Sequence, residues 1–100
     1  MMNRRLELHE ILKGFCPNVY FQPPENLKMI YPCIVYRRAN GNTLFADNNP
    51  YRIYVRYTII VIDKDPDSEI IPKIAALPMC TLDRHYTYEN LNHDVFNITY

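Results

Sequence analysis

The stretch YRIYVRYTIIVID, residues 51–63, decides the fold, because its residues alternate as they do in a β-strand. All the odd positions are apolar or aromatic, and they are Tyr51, Ile53, Val55, Tyr57, Ile59 and Val61. The even positions change from polar to apolar along the stretch, and they are Arg52, Tyr54, Arg56, Thr58, Ile60 and Ile62. We therefore predict one strand with a core face and a second face covered only in its latter half, by a helix of this chain or by a neighbouring copy.

The rest of the chain predicts a small sheet with two helices. Residues 3–13 and 67–78 have helical apolar stripes, and residues 18–21, 33–38 and 95–100 are typical of strands. Residues 80–88 are expected to be extended, with Leu82 and the tyrosines as packing groups, and 89–94 to turn. The predicted class is α+β: one domain over residues 1–100, with a mainly antiparallel sheet of about four strands and two helices packed on it.

The charge balance argues against several function classes. Eleven basic and eleven acidic residues give a net charge of zero, so no chain-wide field attracts nucleic acid or an anionic membrane. Arginines do cluster locally, which leaves a basic face possible. We expect no membrane segment and no specific nucleic-acid partner. Two glycines in the whole chain do not make a glycine-rich phosphate-binding loop.

The segment IDKDPDS, residues 62–68, has aspartate at every second position, which is how a calcium-binding loop begins. Counted from Asp63, the sixth position should be glycine and is Ser68, and the twelfth should be glutamate and is Ile74. Carboxylates after a strand, followed by proline and serine, are instead typical of a turn. We expect no metal site here.

Four side chains have the chemistry of acid–base catalysis or metal binding: Asp83, His85, His93 and Asp94. No known metal or catalytic spacing joins them, and Cys80 with His85 is equally unsupported as a nucleophile pair. The three cysteines form no C-x-x-C pair. We therefore expect a non-enzymatic protein with no catalytic residues, metal ligands or cofactor. A small metal-dependent enzyme is the alternative from another class.

Four segments resemble one family of viral proteins: YFQPPE (20–25), YPCIVY (31–36), VIDKDPDS (61–68) and NLNHDVF (90–96). In this order, over nearly the whole chain, they are similar to the small tail terminator, or tail completion, proteins in the neck of bacteriophages with long non-contractile tails. The resemblance implies a six-fold ring of this chain at the head-proximal end of the tail tube.

The same resemblance implies the role and the partners of such a ring. It would end tube polymerisation and offer the head a docking surface, as part of a virion assembled in the host cytoplasm. Its partners would be further copies of the chain, the major tail tube protein and the head–tail connector or stopper protein. A head–tail adaptor or stopper of the same neck is the alternative structural role.

The residues themselves suggest three contact regions. Arg52, Tyr54 and Arg56 project from the uncovered half of the long strand, so we assign them to a subunit or tube contact. The connection over 39–50 is long enough to reach a neighbour or the tube. Its proposed contact residues are Asn42, Leu44, Phe45 and Asp47. The third region consists of the carboxylates of Asp63, Asp65 and Asp67, which could pair with arginines of another copy.

Overall fold

The computed structural model describes residues 4–39, 45–46 and 53–100. They form two helices and seven strands. The elements are α1 (Arg4–Phe15), β1 (Val19–Phe21), β2 (Cys33–Arg38), β3 (Phe45–Ala46), β4 (Ile53–Tyr54), β5 (Arg56–Asp63), α2 (Ile70–Ala75), β6 (Cys80–Tyr88) and β7 (Leu91–Thr99).

Five of the strands form one sheet in the order β1-β2-β5-β7-β6. The pair β1 and β2 is parallel, and the other three neighbouring pairs are antiparallel. The predicted α+β class with a mainly antiparallel sheet and two helices is therefore confirmed, although the sheet has five strands where about four were expected. The short strands β3 and β4 pair with each other in a separate two-stranded sheet.

The core lies between the two helices and one face of the sheet, which we call the core face. Leu8 and Leu12 of α1 and Ile74 of α2 are fully buried, as expected for one apolar stripe per helix. The sheet residues that they pack with come from the central strands. These residues are Ile34, Tyr36, Tyr57, Ile59, Val61, Phe96 and Ile98.

The prediction of one continuous strand over 51–63 is wrong at Val55, which separates β4 from β5. The backbone carbonyl of Val55 accepts a hydrogen bond from the N–H of Tyr100 at 2.9 Å, and that of Arg56 accepts one from Ala39 at 3.1 Å. Both neighbours of β5 thus end at this point. Among the described residues, β4 pairs with β3 instead. The alternation of side chains along 51–63 does not indicate that change of partner.

The second face of the sheet is covered on the β1 side by residues 22–32. The backbone N–H of Ile30 donates to the hydroxyl of Tyr20 at 3.3 Å, and Pro23 and Met29 line a pocket that Val35 of this face also lines. Ile62 is buried here, while Arg56 is exposed. The side chains of β5 on this face thus change from exposed at Arg56 to buried at Ile62, which is the change expected from the sequence.

The C-terminal part of the chain forms a hairpin of β6 and β7. The connecting residues Glu89 and Asn90 have φ values of 52° and 63°, as a two-residue type I′ turn requires. The predicted turn over 89–94 is thus too long, and β7 begins at Leu91. Because two consecutive left-handed residues reverse the chain at once, residues 91–94 are free to extend the ladder.

The second helix is also shorter than predicted, at Ile70–Ala75 where 67–78 was expected. Ser68 stabilises its beginning, because the Ser68 hydroxyl accepts a hydrogen bond from the N–H of Ile70 at 3.3 Å. Residues 67–69 therefore precede the helix and are not part of it.

Candidate functional site

The residues assigned from sequence to a subunit or tube contact fall on different elements. Arg56 begins β5, whereas Tyr54 belongs to β4 and lies opposite Phe45 of β3. The remaining residues of these two hypotheses lie outside the described part of the chain. They are Arg52, Asn42, Leu44 and Asp47. The side chain of Arg56 is exposed.

One end of the sheet carries arginines, and we call it the basic end. The exposed Arg37 and Arg38 complete β2, and their ladder partners are Thr58 and Tyr57, next to the exposed Arg56 at the start of β5. Arg5 of α1 reaches the same end, where it lines a pocket together with Arg38. The arginine clusters seen along the sequence thus converge in space through the register of β2 and β5.

The opposite end of β5 carries the aspartates, and we call it the acidic end. The Asp63 carboxylate accepts a hydrogen bond from the N–H of Asp65 at 3.0 Å, and the Asp65 carboxylate accepts one from Asp67 at 2.9 Å. These consecutive Asx turns give the alternate spacing of the acids a structural cause. The turn predicted from sequence is present, and Lys64, Asp65 and Asp67 are exposed.

The two charged ends are separated by the length of β5. Eight residues of an antiparallel strand span roughly 23 Å from Arg56 to Asp63. A chain of zero net charge therefore presents opposite charges at opposite ends of its sheet.

The histidine and aspartate groups near the C-terminus are divided between the two faces of the sheet. His85 contacts Asp94 on one face, with 2.8 Å between Nδ1 and Oδ1, and the side chains are 46% and 16% exposed, respectively. His93 lies on the other face, stacked on Tyr86 with ring centroids 4.7 Å apart. The sheet therefore keeps the two histidines from acting on one substrate atom.

The cysteines are placed as small core or edge residues. Cys16 and Cys33 are buried, whereas Cys80 is half-buried at the start of β6. Burial, with smaller contributions from Cys16 and Asp63, raises the pKa of Cys33 to about 12. Burial also raises the pKa of Cys80. Since the thiolate is the nucleophilic form, neither of these two thiols is activated.

Strand β6 is the feature that the sequence interpretation misplaced. Leu82 and the tyrosines of this strand were expected to be packing groups, but residues 81–90 are all exposed. The physical reason is that β6 is the outer strand of the sheet. The charged run of Asp83, Arg84 and His85 in its centre is the sequence signal that indicates exposure.

Two observations concern ligands and membranes. Within residues 4–39, 45–46 and 53–100, no three or more His, Cys, Asp or Glu side chains are grouped to hold a metal ion. Over the same residues, no helix combines the length and the apolar character needed to cross a lipid bilayer.

A comparison of the sequence with models of known protein families and with characterised proteins finds no match.

Proposed function

We propose that this chain is a structural protein of a bacteriophage virion. It forms a ring at the head-proximal end of a long non-contractile tail, ends the polymerisation of the tail tube and provides the surface to which the head docks. The observation that carries this proposal is the separation of charge between the basic and acidic ends of one sheet. The role requires assembly and no chemistry on a small molecule.

A ring needs two different surfaces on each subunit, which fit each other and close by rotation. The basic end, with Arg37, Arg38 and Arg56, and the acidic end, with Asp65 and Asp67, are such a pair of unlike surfaces. Opposite charges steer two subunits into this orientation and disfavour the contact of like ends. The net charge of zero leaves no overall repulsion between copies.

The segments that resemble tail terminators also supply this arrangement. VIDKDPDS forms the last part of β5 and the aspartate turn, and YPCIVY leads through β2 to the basic end. The resemblance and the charge separation therefore support the same kind of assembly. The partners that follow are further copies of this chain, the major tail tube protein and the head–tail connector.

The ring is tested first with the purified chain, by negative-stain electron microscopy and native mass spectrometry over a range of concentrations. We expect rings, with six copies as the number implied by the resemblance. Arg38→Glu and Asp67→Lys should each prevent ring formation, because each places like charges at every contact. The double variant should regain it, since the two ends are again opposite in charge. Lys13→Glu, on the exposed side of α1, is the control that should leave the rings unchanged.

The role in the tail is tested with tail tube protein polymerising in the presence of the ring. We expect shorter tubes of defined length, each with the chain at one end in labelled micrographs. Mass spectrometry of purified virions should also find the chain in the tail fraction. Tubes of unchanged length together with binding to portal-side proteins would replace the tail terminator with the adaptor or stopper. Charge variants that assemble as the unchanged chain does would remove the charge-separated contact.

A further inference from the structure

Strand β6 is an open edge of the main sheet. Within the part of the chain that the structure describes, it pairs with β7 alone, and Thr81–Tyr88 are exposed over its length. The other outer strand, β1, has three residues where β6 has nine. A short edge strand offers few unpaired backbone groups, whereas a long one is a template for another strand.

The side chains of β6 add apolar surface to this edge. Leu82 is 59% exposed, Tyr86 39% and Tyr88 63%, and Met79 immediately before the strand is 72% exposed. Exposed single apolar residues are ordinary, but here they accompany a row of backbone N–H and C=O groups that a second strand can pair with. The edge therefore fits an extended segment of polypeptide as its partner.

A β-bulge divides β6 into two halves whose side chains alternate out of phase. Leu82 lies opposite Phe96 of the core face, whereas Arg84 lies opposite Val95 of the other face, and Asp83 is the extra residue between them. Since partners across a ladder share a face, Cys80, Leu82, His85 and Thr87 lie on the core face. Thr81, Arg84, Tyr86 and Tyr88 lie on the other face.

This reversal determines how two copies of β6 can pair. Around a two-fold axis between Asp83 and Arg84, Leu82 meets His85, Thr81 meets Tyr86 and Cys80 meets Thr87 of the second copy. Each of these pairs shares a face. A shift by one residue places Arg84 opposite Arg84 and brings residues of different faces, such as Leu82 and Tyr86, together.

We propose that β6 pairs antiparallel with β6 of a second copy of this chain, with Asp83 of each copy opposite Arg84 of the other. The adjacent acid and base are self-complementary in this register. Against a foreign apolar strand they would face no opposite charge, so the same two residues protect the edge from unrelated strands. The charges thus specify the chain's own copy as the occupant.

The two-fold contact is separate from the head-to-tail contacts of the proposed ring, because it uses the outer edge of β6 and leaves both charged ends uncovered. An edge contact of eight residues on each strand is smaller than the roughly 1,200–2,000 Å² of a standard stable interface. We therefore expect a dimer that dissociates on dilution. A ring that also used this contact would join to a second ring back to back.

Sedimentation velocity of the purified chain tests the proposal over roughly 1 µM to 1 mM, the range suited to a small interface. We expect a monomer–dimer equilibrium in the Arg38→Glu background, in which the ring contact is removed, and rings joined in pairs in the unchanged chain. Asp83→Arg and Arg84→Asp should each raise the dimer dissociation constant about tenfold or more, because like charges then meet twice in each dimer. The double variant Asp83→Arg with Arg84→Asp should restore dimerisation, since it exchanges the charges and keeps the pairs.

The controls separate this contact from unfolding and from the ring. Far-ultraviolet circular dichroism and urea midpoints should be the same for all three variants, because Asp83 and Arg84 are exposed. Glu10→Arg and Lys13→Asp on α1 should leave the dimer unchanged. The proposal is overturned by a chain that stays monomeric up to 1 mM, by single variants that dimerise normally, or by a double variant that stays monomeric. Rings that persist in Arg38→Glu, together with an intact β6 dimer, would contradict the charge-separated ring contact of the proposed function and leave the β6 contact in place.

Discussion

Strands β5 and β6 have eight and nine residues and both pair with β7, yet they lie in opposite environments. Strand β5 has a neighbour on each edge and helices against one face, and its core-face side chains are buried. Within the described residues, strand β6 has one neighbour, and its side chains after Cys80 are exposed. The same local structure therefore serves two purposes, because position in the sheet decides whether a strand stabilises the fold or is free for association.

The test with the largest expected effect replaces one apolar core-face residue of each strand with alanine. Ile59→Ala should lower the free energy of unfolding by about 2–5 kcal/mol, because Ile59 is fully buried between Tyr36 and Phe96. Leu82→Ala should change it by about 0.5 kcal/mol or less, because Leu82 is mostly exposed. Urea denaturation of monomeric protein at low concentration measures both values. Similar losses for the two variants would contradict the difference between the strands.

Alkaline pH provides the second test of this comparison. It acts on two buried groups of β2 that lose a proton at high pH, the thiol of Cys33 and the hydroxyl of Tyr36. Burial raises the pKa of Cys33 from its usual 9.0 to about 12, and burial also raises that of Tyr36. Between the unfolded and folded pKa values the folded chain binds more protons, so its stability is fully present below pH 9 and is lost as the pH rises towards 12. Each such group contributes a slope of up to about 1.4 kcal/mol per pH unit.

The measurement is urea denaturation at several pH values from neutral to alkaline, in the unchanged chain and in Cys33→Ala. The variant should be less stable at neutral pH, because a buried side chain is shortened, but its stability should fall less steeply above pH 9. Ile34→Val is the control, since it shortens a neighbouring buried side chain and removes no titratable group. Equal slopes for the unchanged chain and Cys33→Ala would show that Cys33 ionises equally in both states.

The central half of the fold could be predicted from sequence, and the periphery could not. The alternation through Tyr57, Ile59 and Val61 identifies a strand because all of them meet the same core. The break at Val55 depends on where the neighbouring strands end, and no residue of that segment records it. The exposure of β6 follows from its outer position in the sheet, for which the charged run at 83–85 is the local signal. The aspartate turn could be predicted because its residues are close together in the sequence. The basic end could not, because its arginines are brought together by the register of β2 and β5.

The third test compares two tyrosine hydroxyls. The hydroxyl of the buried Tyr36 lies 2.7 Å from Nδ1 of His9, so it links β2 to α1. Tyr36→Phe should cost about 1–2 kcal/mol, because it leaves the partly buried His9 without this partner. Tyr88→Phe, in the exposed strand, should cost a few tenths of a kcal/mol at most. Thermal and urea unfolding measure both, and a negligible loss in Tyr36→Phe would mean that water replaces the hydroxyl.

The smallest expected effect lies at the tip of the exposed hairpin, where the comparison predicts a gain in stability. Glu89 has a φ of 52° in the first central position of the type I′ turn, a conformation in which asparagine is favoured. Glu89→Asn should therefore raise the free energy of unfolding by about 0.5 kcal/mol, since asparagine tolerates left-handed backbone better. Glu25→Asn is the matched control, because Glu25 is also exposed but does not have positive φ. Glu89→Asn could instead change the hydrogen-exchange protection of β6 without changing global unfolding. That result would mean that the hairpin opens independently of the helix-covered half, and the sheet would then consist of two cooperative units.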